Sequence, residues 1–103
     1  MTEKPVLAPA RLRKVPEQFS WVDQRLVRQE YIRRCDARGL ALYLLLLTFS
    51  DAQGLSYYSD ERAAALLSLS ATDVREARRQ LIEADLIAYE RPLYQALSLG
   101  GAS

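Results

Sequence analysis

Apolar residues recur along this chain in distinct rhythms. Within residues 37–52, Leu40, Tyr43, Leu44 and Leu47 fall at i, i+3, i+4 and i+7, the spacing of one helical face. Leu42, Leu45, Leu46 and Phe49 fill the opposite face. A helix that is apolar all round must be covered on all sides, so the preceding segment is expected to pack on it. That segment, residues 19–35, carries Trp21, Val22, Leu26, Val27, Tyr31 and Ile32 in a mixed pattern. It predicts an extended stretch over residues 19–22, then a helix to about Arg34. Asp36 is placed to cap the next helix with its carboxylate. Gly54 is placed to stop it, where left-handed backbone favours glycine.

Downstream the pattern shortens. Leu55-Ser56-Tyr57-Tyr58 is too short for a helix and suits a small strand. Consecutive strand residues point to opposite faces, so one tyrosine is expected inside and the other outside. A helix is predicted from Ser59 or Asp60 to about Leu67, with Ala63, Leu66 and Leu67 inward and Leu69 closing it. Ser70-Ala71-Thr72-Asp73 has the form of a capping box. It opens a helix to about Ala84 whose buried stripe is Val74, Ala77 and Leu81. Two aromatic-bearing runs, residues 86–90 and 93–99, flank Arg91-Pro92 and read as a hairpin with a tight tip.

The order is helix, short strand, helix, turn, helix, hairpin. It predicts a mainly α domain with a small β-hairpin wing, an α+β winged helix-turn-helix over residues 19–99. The helix-turn-helix occupies residues 60–84. Residues 1–18, with prolines at 5, 9 and 16, read as a flexible basic N-terminal arm, and residues 100–103 as a disordered tail.

Composition narrows the function. The 103 residues hold 14 Lys plus Arg against 13 Asp plus Glu, no His and one Cys. That length predicts one domain with a single small core. Without histidine there is no Ser-His-Asp or Cys-His machinery. Cys35 alone makes neither an intramolecular disulfide nor a multi-cysteine metal site. The sequence therefore predicts a non-enzyme with no cofactor and no metal. Cys35 reads as a buried structural cysteine, although Arg33 and Arg34 beside it are groups that lower a thiol pKa. The longest apolar run, residues 40–47, falls well short of the roughly 20 residues that span a membrane. No signal peptide is evident. A cytoplasmic, nucleoid-associated protein with no membrane partner is expected.

Net charge hides a gradient: +4 over residues 1–35 and −3 over residues 36–103. Such asymmetry fits a basic part facing a polyanion or an acidic partner, and equally a solvated charged surface. On the helix after the capping box, Thr72, Arg75, Glu76, Arg79, Gln80 and Glu83 point away from the buried stripe. Arg reads guanine bidentately, Gln reads adenine, and Thr meets base or phosphate. The candidate DNA-binding set is Ser70, Thr72, Arg75, Glu76, Arg79 and Gln80 on this helix and its cap. Arg91 at the wing tip joins it, with Arg11, Arg13 and Lys14 on the arm. Arg78, beside the core stripe, is expected to snorkel or pair with an acid. Pairing of Glu76 with Arg79 or Gln80 as plain helix-surface contacts, worth about 0.2–0.5 kcal/mol each, competes with base contact. Placement as the third helix of a winged helix shifts the balance toward DNA.

Residues 66–75, Leu-Leu-Ser-Leu-Ser-Ala-Thr-Asp-Val-Arg, and residues 79–87, Arg-Gln-Leu-Ile-Glu-Ala-Asp-Leu-Ile, resemble bacterial winged-helix regulators. Asp85 departs from their pattern by standing at the usual glycine position. A longer stretch resembles small helix-turn-helix proteins encoded with bacterial transposons. It is carried by Phe19-Ser20-Trp21-Val22-Asp23, Arg25-Leu26, Ala41-Leu42-Tyr43-Leu44, Asp51, Gly54-Leu55-Ser56-Tyr57-Tyr58, Leu86-Ile87-Ala88-Tyr89 and Pro92-Leu93-Tyr94-Gln95. The arrangement is also similar to phage replication-initiator DNA-binding domains. These resemblances imply sequence-specific binding of double-stranded DNA by a regulator or accessory factor of a mobile element or phage. The process would be transcription, transposition or replication initiation. They leave room for a homodimer and for a transposase or replication-protein partner. The rival reading is a protein-interaction or dimerisation module on the same scaffold without base readout.

Overall fold

A computed structural model describes residues 4–99; the expected tail, residues 100–103, lies outside them, as do positions 1–3 of the arm. The described residues form a mixed α+β domain: helices α1 (Arg25–Arg28), α2 (Ala37–Phe49), α3 (Asp60–Leu67) and α4 (Ala71–Glu83), with strands β1 (Leu55–Tyr57), β2 (Ile87–Glu90) and β3 (Leu93–Ala96). The strands make one antiparallel sheet in the order β1-β3-β2. Across the β2–β3 hairpin Tyr89 faces Tyr94, and across β1–β3 Ser56 faces Tyr94. No helix among the described residues is long and apolar enough to cross a membrane.

Local chemistry sets the helix starts. The Asp36 carboxylate accepts from the amides of Arg38 and Gly39 at the start of α2. Ser59 caps α3, and Ser70 with Asp73 completes a reciprocal capping box on α4. These bonds satisfy amides that the first helical turn leaves unpaired. Helix α4 packs on α2, and Val74, Ala77 and Leu81 of α4 share one buried core with Leu42 and Leu46 of α2 and with Leu86 and Tyr94. Each large side chain so buried contributes roughly 1.5–3 kcal/mol relative to exposure.

Four expectations are corrected. The helix expected to reach Arg34 ends at Arg28; Glu30 takes a left-handed conformation (φ 62°), and a 3₁₀ turn, Tyr31–Arg34, follows. Two single core anchors, Leu26 and Tyr31, hold this segment down instead of a continuous apolar face. Gly54 does not stop α2. That helix ends with extended Ser50, and Gly54 (φ 83°) turns the loop into β1, where an added Cβ would lie 2.6 Å from the Ala96 carbonyl oxygen. On α3, Leu66 faces out and Ala64 in. Asp85 itself adopts the left-handed turn (φ 62°) that leads α4 into β2. Finally, α2 is not covered on all sides, because Leu44 and Phe49 stay exposed. Tyr57 lies outside and Tyr58 packs partly on the core, the division that strand alternation predicts.

Candidate nucleic-acid interface

Helix α4 owes its orientation to α2. Gln80 donates from Nε2 to Asp36 Oδ2 (2.9 Å), and its Oε1 accepts from the Asp36 amide (2.9 Å). Arg38 spans the same junction, donating to Asp36 and, at 3.1 Å, to Asp73. Gly39 makes the approach possible: a Cβ there would stand 2.7 Å from Gln80 Oε1 and 3.0 Å from Cys35 Cβ. Asp36 is held well below the usual carboxylate range by its bonds to Arg38 and then Gln80. Gln80, expected on the outward reading face, is thus turned toward α2 with both ends of its amide occupied. Ser70 likewise spends its hydroxyl on the Asp73 amide.

The outward row of α4 is Thr72, Arg75, Glu76, Arg79 and Glu83. Arg75 donates to Thr72 Oγ1 (3.1 Å) and lies 3.8 Å from Asp60 Oδ2. Arg79 is clamped on both sides, 2.7 Å from Glu76 and 2.7 Å from Glu83. Those two carboxylates push the Arg79 guanidinium up, and Arg79 in turn draws Glu76 down. Two cations and two anions leave the row electrically balanced.

Arg78 behaves as its place beside the stripe predicts. It donates to Asp60 Oδ1 (2.7 Å) and to the buried Tyr94 hydroxyl (3.0 Å), and its guanidinium lies 4.3 Å from the centre of the Tyr89 ring. Burial alone would pull Arg78 down, but the bonds to Asp60 and Tyr94 outweigh it and raise it. Asp60 is drawn down first by its bond to Arg78, then by the fields of Arg78, Arg75 and Arg91. Arg91 stands at the exposed hairpin tip, and its field extends to Asp60 at the start of α3. The tip rests on the body through the Tyr58 amide, which donates to the Pro92 carbonyl (3.3 Å).

Arg11, Arg13 and Lys14 are exposed; Arg11 ends a 3₁₀ turn, Pro9–Arg11. Among the described residues none of the three side chains has a hydrogen-bond or ion-pair partner, and nothing joins them to α4. Cys35 is half-buried, and burial pushes its thiol up rather than down. No group of three or more His, Cys, Asp or Glu among the described residues is placed to hold a metal ion. The sequence reading missed Arg38 and Asp60 as organisers. Their partners lie 35 and 18 residues away, and no local pattern signals them. Comparison with protein-family models, with curated proteins and with solved structures gives no match to this chain.

Proposed function

We propose that the chain binds double-stranded DNA sequence-selectively as a winged helix, with α4 in the major groove and the β2–β3 hairpin as the wing. It would serve a mobile element or phage as a regulator or accessory factor. The observation that carries this reading is the exposed row on capped helix α4, which holds Arg75 and Arg79, followed directly by a hairpin whose tip carries exposed Arg91. The helix row and the hairpin tip each present cations, so one duplex can engage both. The order α2, β1, α3, α4, β2, β3 with strand order β1-β3-β2 supports the same reading. In it Arg75 and Arg79 read bases, Thr72 and Arg91 anchor phosphates, and Arg11, Arg13 and Lys14 add non-specific affinity.

Selection of bound duplexes from a random pool, followed by sequencing, tests it. An enriched motif that disappears in the Arg75→Ala, Arg79→Ala double variant is expected. Deleting residues 1–18 lowers the salt slope by about 0.9 for each phosphate that the arm neutralises. Failure to bind any duplex at salt of about 50 mM, where phosphate contacts are strong, refutes the proposal. The rival, a protein-interaction module without base readout, draws its support from the Glu76–Arg79–Glu83 clamp, which leaves the row without excess positive charge.

A further inference from the structure

We infer that this chain is a two-fold symmetric dimer, joined through an aromatic surface at the C-terminal end of α2. Four large rings there are mostly in water: Phe19 is 66% exposed, Trp21 74%, Phe49 67% and Tyr57 70%. Phe19 and Trp21 border a cleft of about 420 Å³, Phe49 and Tyr57 border a second, and the two clefts share Ser50 and Asp51. The rings therefore flank one continuous strip. Ser20 Oγ donates to the Thr48 carbonyl (2.9 Å), which pins the Phe19–Trp21 side to the end of α2.

The area suits a second copy. At about 150–250 Å² per large aromatic side chain, the four rings leave on the order of 500 Å² of apolar surface in water. A standard interface takes about 800 Å² from each partner, and roughly 65% of a homodimer interface is apolar. The strip supplies that apolar share. Its charge suits a second copy as well. A two-fold axis places each patch against itself, so unbalanced charge would repel its own image. Asp23 is already paired with Arg25 (2.7 Å), and Asp51, whose carboxylate accepts from the Gln53 and Leu55 amides, borders the second cleft together with the oppositely charged Arg62. A strongly charged partner finds little to pair with here.

The strip also leaves α4 open. Gln80 meets the N-terminal end of α2, and at 1.5 Å per residue Phe49 lies about 20 Å farther along that helix.

Trp21 is the only tryptophan in the chain, so it reports on the contact directly. Sedimentation equilibrium and intrinsic fluorescence of the full chain, without DNA, are measured from hundreds of micromolar down to nanomolar. The expected result is a species of twice 11.7 kDa that dissociates on dilution, with Trp21 emission shifting to the red in parallel. Phe49→Ser and Tyr57→Ser raise the dimer dissociation constant at least about tenfold with an unchanged circular dichroism spectrum. Leu66→Ser, an exposed position on α3, leaves it unchanged. A monomer at every concentration overturns the inference, as does a dimer whose formation leaves Trp21 emission unmoved. Because no DNA is present, failure here is separate from failure of the DNA-binding proposal.

Discussion

Gln80 and Asp36, 44 residues apart in the chain, hold each other by two hydrogen bonds of 2.9 Å, one to the side chain and one to the backbone of Asp36. The pair ties the C-terminal half of α4 to the start of α2, so the helix with the candidate reading row is fixed by a contact outside that row. Gln80→Ala is expected to lower the thermal midpoint by a few degrees while leaving the selected DNA motif unchanged. A double-mutant cycle with Asp36→Ala should show coupling between the two positions. A changed motif with unchanged stability would instead make Gln80 a base reader.

Asp60 gives folding stability a defined acid limb. Its pKa is lowered, chiefly by Arg78, so its contribution is present above the unfolded carboxylate value of about 3.9. It is lost as pH falls through the lower folded value. Asp60→Asn should cost about 1.5–3 kcal/mol at neutral pH, the range for a hydrogen bond to a charged group. Urea unfolding should show the gap between wild type and variant closing below about pH 4. A gap that stays constant with pH would falsify the assignment.

Gly54→Ala meets two obstacles at once, a φ of 83° and the Ala96 carbonyl oxygen 2.6 Å from the new methyl group. The left-handed conformation alone costs about 1–2 kcal/mol for an L-residue, and the close approach adds to it. Denaturant midpoints should fall accordingly. Gly39→Ala, on ordinary helical backbone, presses mainly on the movable Gln80 side chain and should cost less.

Ser56 is buried in β1, and its Oγ has no hydrogen-bond partner among the described residues. An unsatisfied buried hydroxyl carries a desolvation penalty of about 1–3 kcal/mol. Ser56→Ala is therefore expected to stabilise the fold by about 1 kcal/mol. A loss of stability in chemical denaturation would mean the hydroxyl is satisfied in solution.

Glu76 restrains Arg79, and its removal should be visible in DNA binding. Glu76→Ala leaves Arg79 only Glu83 and gives the α4 row a net positive charge. Fluorescence anisotropy should show tighter binding to random duplex and a salt dependence steeper by about one neutralised phosphate. An unchanged affinity for random sequence would show that Arg79 does not face the DNA.

The sequence by itself determined the features that depend on near neighbours. Asp36, Ser59 and the Ser70–Asp73 box are legible because a cap is a bond across two or three residues. The Val74, Ala77, Leu81 stripe is legible because helical periodicity alone puts those residues on one side. The Arg91-Pro92 tip follows from the proline between two apolar runs. The tertiary structure decided where each long side chain goes. Arg79 and Gln80 are adjacent on one helix, yet one is clamped by its own helix and the other reaches α2. Rotamer choice there follows the partners within reach, and Asp36 is brought within reach only by the folding of the intervening chain. The exposure of Leu44 and Phe49 was equally hidden. A run of leucines predicts burial, but what covers each face depends on the break at Glu30, which leaves the segment before it too short to cover α2.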